Sequence, residues 1–182
     1  MKEIDVTFVT GSAKKAEYIE KLLGLKIKHQ KVDLHEPQSL DLKEIVEYKL
    51  KHAYEVIKAP VLVEDVALGF ESLNGLPGTF IKFFIEGTSE EKVCKMISDG
   101  NRKAIASCVF GYYDGTRMEF FEGSCGGEIA ESPRGENGYG WDKIFIPEGF
   151  AITRAEMTPE ENLQTYLRIK KIDEVREFLK TL

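Results

Sequence analysis

The sequence has no cysteine or histidine pattern that would indicate a structural metal site or a disulfide framework. Its three cysteines are odd in number and widely spaced, and none belongs to a C-x-x-C pair. Its three histidines also lack the spacing of metal ligands. We therefore expect the thiols to be buried or idle in a reducing compartment, and the histidines to be surface or packing residues.

The sequence also has fewer basic than acidic residues. The 182 residues include 25 lysines and arginines against 31 aspartates and glutamates, which gives a formal net charge of −6. A protein that holds nucleic acid by its backbone usually carries a basic surplus, so we expect no nucleic-acid partner. A small phosphorylated ligand remains compatible with this charge, because a few clustered basic side chains suffice to bind it.

Long apolar runs are absent as well. No segment approaches the roughly 20 apolar residues of a membrane-spanning helix, and residues 1–5 have no secretory h-region. We therefore expect a cytoplasmic protein with no membrane partner. Apolar residues make up 42% and charged residues 31% of the chain, as in soluble globular proteins. The length suits a single domain over residues 1–182.

The first third of the chain contains alternating strand and helix patterns. In order, the hydrophobic pattern predicts a strand over Ile4–Val9, a helix that starts at Ala13 and ends at Gly24, a strand over Lys26–Val32, a helix over 42–58 and a short strand over Val61–Val63. Ser12 can cap the first helix. This order indicates an α/β fold.

The rest of the chain combines a hairpin with further helices. The pattern predicts helices around Thr79–Glu86 and Ser89–Ser98, strands over Ala104–Tyr113 and Thr116–Cys125, and a final helix from Thr158 to about Leu179. The Asp-Gly dipeptide between the two strands is a strong hairpin signal. We therefore expect a mixed central β-sheet that is flanked by helices and extended by this hairpin.

The segment Thr10-Gly11-Ser12-Ala13-Lys14-Lys15 joins the first strand to the first helix. A helix N-terminus offers free backbone N–H groups and a favourable dipole to an anion, and Gly11 permits a close backbone approach. The spacing of a P-loop is missing. The segment is compatible with phosphate binding, and also with an ordinary strand–turn–helix that carries surface lysines.

Glu64 and Asp65 follow the short strand Val61–Val63. Strand ends are where α/β proteins bind ligands, and adjacent strand positions point in opposite directions, so one carboxylate could face a site and the other a helix or a metal ion. Carboxylates suit Mg²⁺, which takes one or two of them together with substrate phosphates. The alternative is a strand end capped by two solvated acids.

Trp141 is the only tryptophan and lies between Gly140 and Asp142. An exposed indole could stack on a nucleobase and Asp142 could accept a base N–H; alternatively, the ring anchors a loop to the core.

Lys82 stands among aromatic residues after a turn. It could reach a phosphate as a point charge or simply extend out of an apolar face.

Taken together, these segments resemble the inosine triphosphate pyrophosphatase family. The matching segments keep the family's order and spacing from about residue 6 to residue 170, which is nearly the whole chain. They are Phe8–Lys15, Val61–Asp65, the Leu-Asn-Gly-Leu-Pro-Gly turn of Leu73–Gly78, Ile81–Lys82, Gly140–Phe145, Pro147–Gly149 and Ala155–Met157. The Val-Glu-Asp and Trp-Asp forms are similar to the eukaryotic and archaeal branch of the family.

The resemblance implies a Mg²⁺-dependent enzyme. It would hydrolyse purine triphosphates that arise by base deamination, such as ITP, dITP and XTP, to the monophosphate and pyrophosphate, and so cleanse the nucleotide pool. The resemblance also implies a homodimer with a long central sheet and a cleft between two lobes.

The resemblance further implies a set of site residues. Glu36 and Asp65 match metal ligands, and Asp65 and Lys15 match catalytic positions, with Asp65 as the acid that positions the metal or activates the attacking water. The implied substrate-binding residues are Thr10, Gly11, Ser12, Lys15, Lys49, Glu64, Lys82, Gly140, Trp141, Asp142 and Arg168.

The chain departs from the family pattern mainly at the base-binding end. Ser12 replaces an asparagine, Asn162 stands where the family has a lysine, and Tyr166-Leu167-Arg168 replaces Ser-His-Arg. The missing lysine and histidine help to read the 6-oxo group and edge of the purine, and selectivity falls when such donors are lost. Three hypotheses follow: other donors read the same purines, the enzyme accepts a broader or different nucleotide set, or the protein is a nucleotide-binding module without turnover.

Overall fold

The structure is a computed structural model that describes residues 2–97 and 100–182. It contains seven strands and six α-helices within these residues: β1 (Lys2–Val9), α1 (Ala13–Leu23), β2 (Leu25–Gln30), α2 (Leu42–Ile57), β3 (Val61–Phe70), β4 (Pro77–Gly78), α3 (Ile81–Gly87), α4 (Glu90–Cys94), β5 (Lys103–Tyr113), β6 (Met118–Ile129), β7 (Phe145–Pro147), α5 (Pro159–Lys170) and α6 (Ile172–Lys180). Short 3₁₀ helices cover Glu71–Leu73, Gly140–Lys143 and Arg154–Glu156.

All seven strands belong to one mixed sheet. Its order is β2-β1-β3-β5-β6-β7, with β4 beside β3. β1 runs parallel to both β2 and β3, whereas β4 lies antiparallel to β3 and β7 lies antiparallel to β6. The predicted α/β class, with a mixed sheet flanked by helices, is confirmed. Among the described residues, no helix has the length and apolar character needed to cross a membrane.

The chain divides into two compact units. The first contains the described residues up to Asp65, together with Val109–Glu122 and Lys170–Leu182. The second contains the described residues of Val66–Cys108 and Gly123–Ile169. β3, β5 and β6 each contribute residues to both units.

In the first unit, α2 covers the central strands. Its Val46, Leu50 and Ala53 are fully buried and belong to one cluster with Val61 and Val63 of β3. These helix positions are three or four residues apart, so they lie on one face of the helix. Each fully buried valine or leucine side chain contributes about 1.5–3 kcal/mol. This packing fixes α2 against the strand that carries Glu64 and Asp65.

β3 is longer than the sequence pattern predicts. The strand continues to Phe70, so the prediction that Glu64 and Asp65 follow its end is wrong: both acids lie inside it. The strand continues through them because lysine side chains pair with both carboxylates, so neither needs to reach open solvent.

Two predicted helices also have different bounds. The single final helix is interrupted at Lys171, whose φ of 46° is left-handed, so α5 ends at Lys170 and α6 begins at Ile172. The apolar spacing continues across this break, and for that reason the pattern does not reveal it. α4 ends at Cys94 instead of continuing, and the predicted end at Ser98 lies outside the described residues.

Candidate functional site

The junction between β1 and α1 has the predicted strand–turn–helix form. Ser12 is the N-cap of α1, and its Oγ accepts a hydrogen bond from the backbone N–H of Lys15 at 3.2 Å. The backbone N–H of Ser12 in turn donates to Thr10 Oγ1 at 3.2 Å. No atom lies within 4 Å of the position that a side chain at Gly11 would occupy. The turn is therefore ordered by its own side chains and open at Gly11, beside the partly positive end of a helix.

Glu64 is a fully buried carboxylate held by two lysines. Lys15 Nζ donates to its Oε1 at 2.5 Å, and Lys170 Nζ donates to its Oε2. Burial alone would raise the pKa of Glu64, but the ammonium groups of Lys170 and Lys15 outweigh that effect and lower the pKa to about 2. This cluster carries one surplus positive charge, and Glu64 fixes the direction of Lys15.

Asp65 faces a different lysine from its neighbour, as alternation along a strand requires. Lys49 of α2 donates from Nζ to Asp65 Oδ2 at 2.9 Å and to Glu36 Oε1 at 2.8 Å. Burial would lower the pKa of Lys49, but the charge of Asp65 and the hydrogen bond and charge of Glu36 together raise it. The structure thus brings together three residues that the sequence assigns to metal and phosphate binding.

The oxygens of Glu36 and Asp65 converge on one cationic nitrogen. This geometry fits Mg²⁺, which commonly takes one or two protein carboxylates and completes its shell with water and substrate phosphates. Across residues 2–97 and 100–182, no cluster of three or more His, Cys, Asp and Glu side chains gathers as a metal cage. The residues therefore fit an ion that is shared with a phosphorylated ligand.

In the second unit, a tight turn presents Trp141 and Asp142. The buried Asp142 caps its own turn by accepting from the backbone N–H of Tyr139 at 3.1 Å through Oδ2. Trp141 is half-buried and meets Phe145 edge-on, with ring centroids 5.6 Å apart. The indole therefore has an anchor in the core and keeps part of its surface exposed, which combines the two alternatives of the sequence analysis.

Arg154 also belongs to this cluster, and sequence reasoning missed it. Its Nε donates to Asp142 Oδ1 at 2.8 Å, and its guanidinium carbon lies 5.9 Å from the ring centroid of Trp141. The one sequence signal that could have identified Arg154 is its position immediately before Ala155–Met157, a segment that resembles the family. Lys170 was missed as well, because nothing in the sequence links it to a carboxylate 106 residues away.

Two other predicted residues of the second unit lie on α3 and α5. Lys82 is exposed on α3, which packs beside the 3₁₀ helix Gly140–Lys143. Arg168 donates to the carbonyl of Glu148 at 3.0 Å, and its guanidinium lies 5.9 Å from the ring centroid of Phe150. Within the part of the chain that is described, neither residue forms an ion pair.

Comparison with known proteins gives consistent matches over nearly the whole chain. The model of the Ham1 family matches residues 6–178. The inosine triphosphate pyrophosphatase of Schizosaccharomyces pombe is 40% identical, with 97% of this chain and 95% of that protein covered. Inosine triphosphate pyrophosphatase 2 of Trypanosoma cruzi is 42% identical, with 92% and 88% covered. The structure of a HAM1 protein from Coxiella burnetii, 25% identical, covers both chains fully with a TM-score of 0.84.

Proposed function

The chain belongs to the Ham1 family, and on that premise we propose that it is a nucleoside triphosphate pyrophosphatase. It hydrolyses ITP, dITP and XTP to the monophosphate and pyrophosphate, and thereby removes deaminated purines from the nucleotide pool. The observation that carries the proposal is the convergence of Glu36 and Asp65 on one cationic position, beside a second lysine–carboxylate cluster in the same unit.

The proposed cofactor is Mg²⁺, held by Glu36 and Asp65. When bound, the ion supplies charge neutralisation to the phosphate oxygens and to the departing pyrophosphate. Lys49 already lies between the same two carboxylates and can turn its ammonium group to a phosphate when a divalent cation replaces it there. The two charges of the ion would balance both carboxylates, which the single ammonium group of Lys49 does not.

Lys15 and the N-terminus of α1 bind the phosphates in the first unit, and Lys82 of the second unit stays a phosphate contact implied by the family resemblance. A triphosphate carries about four negative charges, and preorganised cations stabilise the additional charge of the transition state. Lys15 is preorganised because Glu64 holds it, and Ser12 and Thr10 order the turn in front of the helix. Asp65 accepts a proton from the water that attacks the α-phosphorus, which breaks the bond to pyrophosphate.

Trp141 and Asp142 bind the base, and Arg168 contributes from α5. The exposed part of the indole stacks on the purine, a contact worth roughly 1–3 kcal/mol. Asp142 accepts the N1–H of hypoxanthine or xanthine, which adenine lacks. We further propose a cytoplasmic homodimer without nucleic-acid or membrane partners.

A second candidate function is a pyrophosphatase with relaxed or different base selectivity. It is favoured by Asn162, Tyr166 and Leu167, which stand where the family pattern has a lysine, a serine and a histidine. A nucleotide-binding protein without turnover is the third candidate. The retained Glu36 and Asp65 pair argues against it, since a pure binder needs no acid to position water.

The test is pyrophosphate release from ITP, dITP, XTP, ATP, GTP, CTP and UTP, with Mg²⁺ and with excess EDTA. We expect release from the 6-oxopurines that EDTA abolishes and that Asp65→Asn lowers by at least about a hundredfold. Asp5→Asn is the matched control, because Asp5 forms an exposed ion pair with Lys28 in the same unit. Equal release from all the nucleotides would support the second candidate, and no release by a folded protein would refute both enzyme hypotheses.

A further inference from the structure

Arg154 has an unusually complete set of partners for an arginine. Its side chain is buried, and each of its three nitrogens donates to a different residue. Nε reaches Asp142 at 2.8 Å, one terminal nitrogen reaches Thr165 Oγ1 at 2.7 Å, and the other reaches Asn162 Oδ1 at 3.1 Å. Burying a guanidinium is costly unless it is paired and hydrogen-bonded, and this one is fixed from three directions.

The partners of Arg154 are themselves interlocked. Asn162 Nδ2 donates to the backbone carbonyl of Arg154 at 3.1 Å, so the two residues hold each other through side chain and backbone. Thr165 Oγ1 donates to the carbonyl of Asn162 at 2.9 Å. Asn162 is the position where the family pattern has a lysine. This chain therefore carries its cation on Arg154 and uses residue 162 to hold it.

Arg154 also contacts Asp142 and Trp141, the two residues proposed to bind the base. It binds the Asp142 carboxylate directly, and its guanidinium lies 5.9 Å from the Trp141 ring centroid. We propose that Arg154 is the positioning residue of the base site: it orients the carboxylate of Asp142 and the indole of Trp141, and so determines the selection of 6-oxopurines. This inference rests on the proposed function.

The expected selectivity follows from the hydrogen-bonding capacity of a carboxylate. An ionised Asp142 only accepts, which suits the N1–H of hypoxanthine and xanthine and is repelled by the N1 lone pair of adenine. Without Arg154, Oδ1 of Asp142 loses the side-chain donor that fixes its direction. The carboxylate can then turn away from the N1–H, so that the two bases are less well distinguished.

The experiment compares ITP and ATP as substrates of wild type, Arg154→Met, Arg154→Lys, Asp142→Asn and the double variant Arg154→Met/Asp142→Asn. We expect Arg154→Met to raise the KM for ITP and to lower the ITP-over-ATP ratio of kcat/KM, each by at least about tenfold. The kcat for ITP should change by less than about threefold, because the proposed reacting groups lie in the first unit. Arg154→Lys should fall in between, and the double variant should resemble Asp142→Asn.

Arg102→Met is the matched control for a structural effect. Arg102 is a half-buried arginine of the same unit that donates to the carbonyls of Cys94, Ile129 and Ala130. Its loss should lower the midpoint of thermal unfolding and leave the ITP-over-ATP ratio unchanged. If Arg154→Met behaves in the same way, Arg154 has only a structural role and the proposal is wrong.

Two further measurements keep the inference separate from folding and from catalysis. Asn162→Ala keeps Arg154 but removes one of its partners, so it should lower the ITP-over-ATP ratio of kcat/KM by a smaller factor than Arg154→Met does.

The fluorescence of Trp141, the only tryptophan, should be quenched by IMP more strongly than by AMP in wild type, and equally by both in Arg154→Met. Preserved IMP discrimination in that variant would overturn the inference. Discrimination by a wild type that releases no pyrophosphate would refute the proposed function alone.

Discussion

At the scale of single residues, the proposed base site includes a glycine that lies against Asp142. Gly138 has a φ of 78°, and a Cβ atom there would lie 2.3 Å from Asp142 Oδ2. Gly138→Ala therefore combines a left-handed alanine with a collision against the carboxylate that caps the turn. We expect the KM for ITP to rise on the order of tenfold or more, because misplacing a binding group by about 1 Å is costly. Steady-state kinetics with ITP measures this effect.

Gly24→Ala separates the collision from the backbone strain. Gly24 has a φ of 63° at the end of α1, and no atom lies within 4 Å of its Cβ position. Both substitutions should lower the free energy of unfolding by about 1 kcal/mol through strain, but only the change at 138 should alter the KM. Equal KM values for the two variants would mean that Asp142 tolerates the displacement.

At the same scale, some candidate site residues have a local sequence signal and others have none. Trp141 and Asp142 are predicted because a unique indole lies among glycines, and Asp65 is predicted because two adjacent acids follow a buried apolar run. Arg154 and Lys170 are ordinary cations in polar segments. Their roles come from partners that only the fold brings near, so no local pattern marks them.

At the scale of elements, α2 begins at a well-formed cap. Asp41 Oδ1 accepts from the backbone N–H groups of Lys43 at 2.8 Å and Glu44 at 3.4 Å. Asp41→Ala should lower the free energy of unfolding by about 1 kcal/mol, measured by urea denaturation, with kcat/KM unchanged. Asp41→Asn keeps an acceptor oxygen and should retain most of the stability. An equal loss in both variants would instead assign the effect to the negative charge at the helix N-terminus.

The elements that were predicted well are those whose signal is local. α2 matches its prediction to within one residue, and the Asp-Gly turn joins β5 and β6 as expected. The errors at β3 and at the break between α5 and α6 share one cause. In both places, lysine–carboxylate pairs stabilise a backbone path that hydrophobic periodicity does not encode.

At the scale of the whole molecule, the described chain forms two compact units, and three strands are continuous through both. We propose on that ground that residues 1–182 act as a single domain. The cleft between two lobes stays a prediction of the family resemblance.

Within the first unit, Glu64 connects segments that are far apart in the chain, because Lys15 lies in the first turn of α1 and Lys170 is the last residue of α5. Global stability should therefore depend on this one carboxylate.

The contribution of the Glu64 carboxylate to stability can be tested by measuring unfolding as a function of pH. Because the pKa of Glu64 is lowered from its ordinary 4.5 to about 2, its contribution is fully present above about pH 4.5 and is lost as the pH falls towards 2. That shift corresponds to on the order of 3 kcal/mol. The pKa of Asp114 is also lowered to about 2, by the backbone N–H groups of Arg117 and Thr116, so the effect of Glu64 has to be obtained as a difference between variants.

We expect Glu64→Gln to have a lower free energy of unfolding than wild type at pH 7, and the gap to narrow steadily between about pH 4.5 and 2. Glu47→Gln, which removes an exposed carboxylate paired with Lys51, should run parallel to wild type over the same range. Urea denaturation at intervals of pH measures all three proteins. A gap that stays constant down to pH 2 would mean that the Glu64 carboxylate gains nothing from its two lysines, and that the variant loses stability through packing alone.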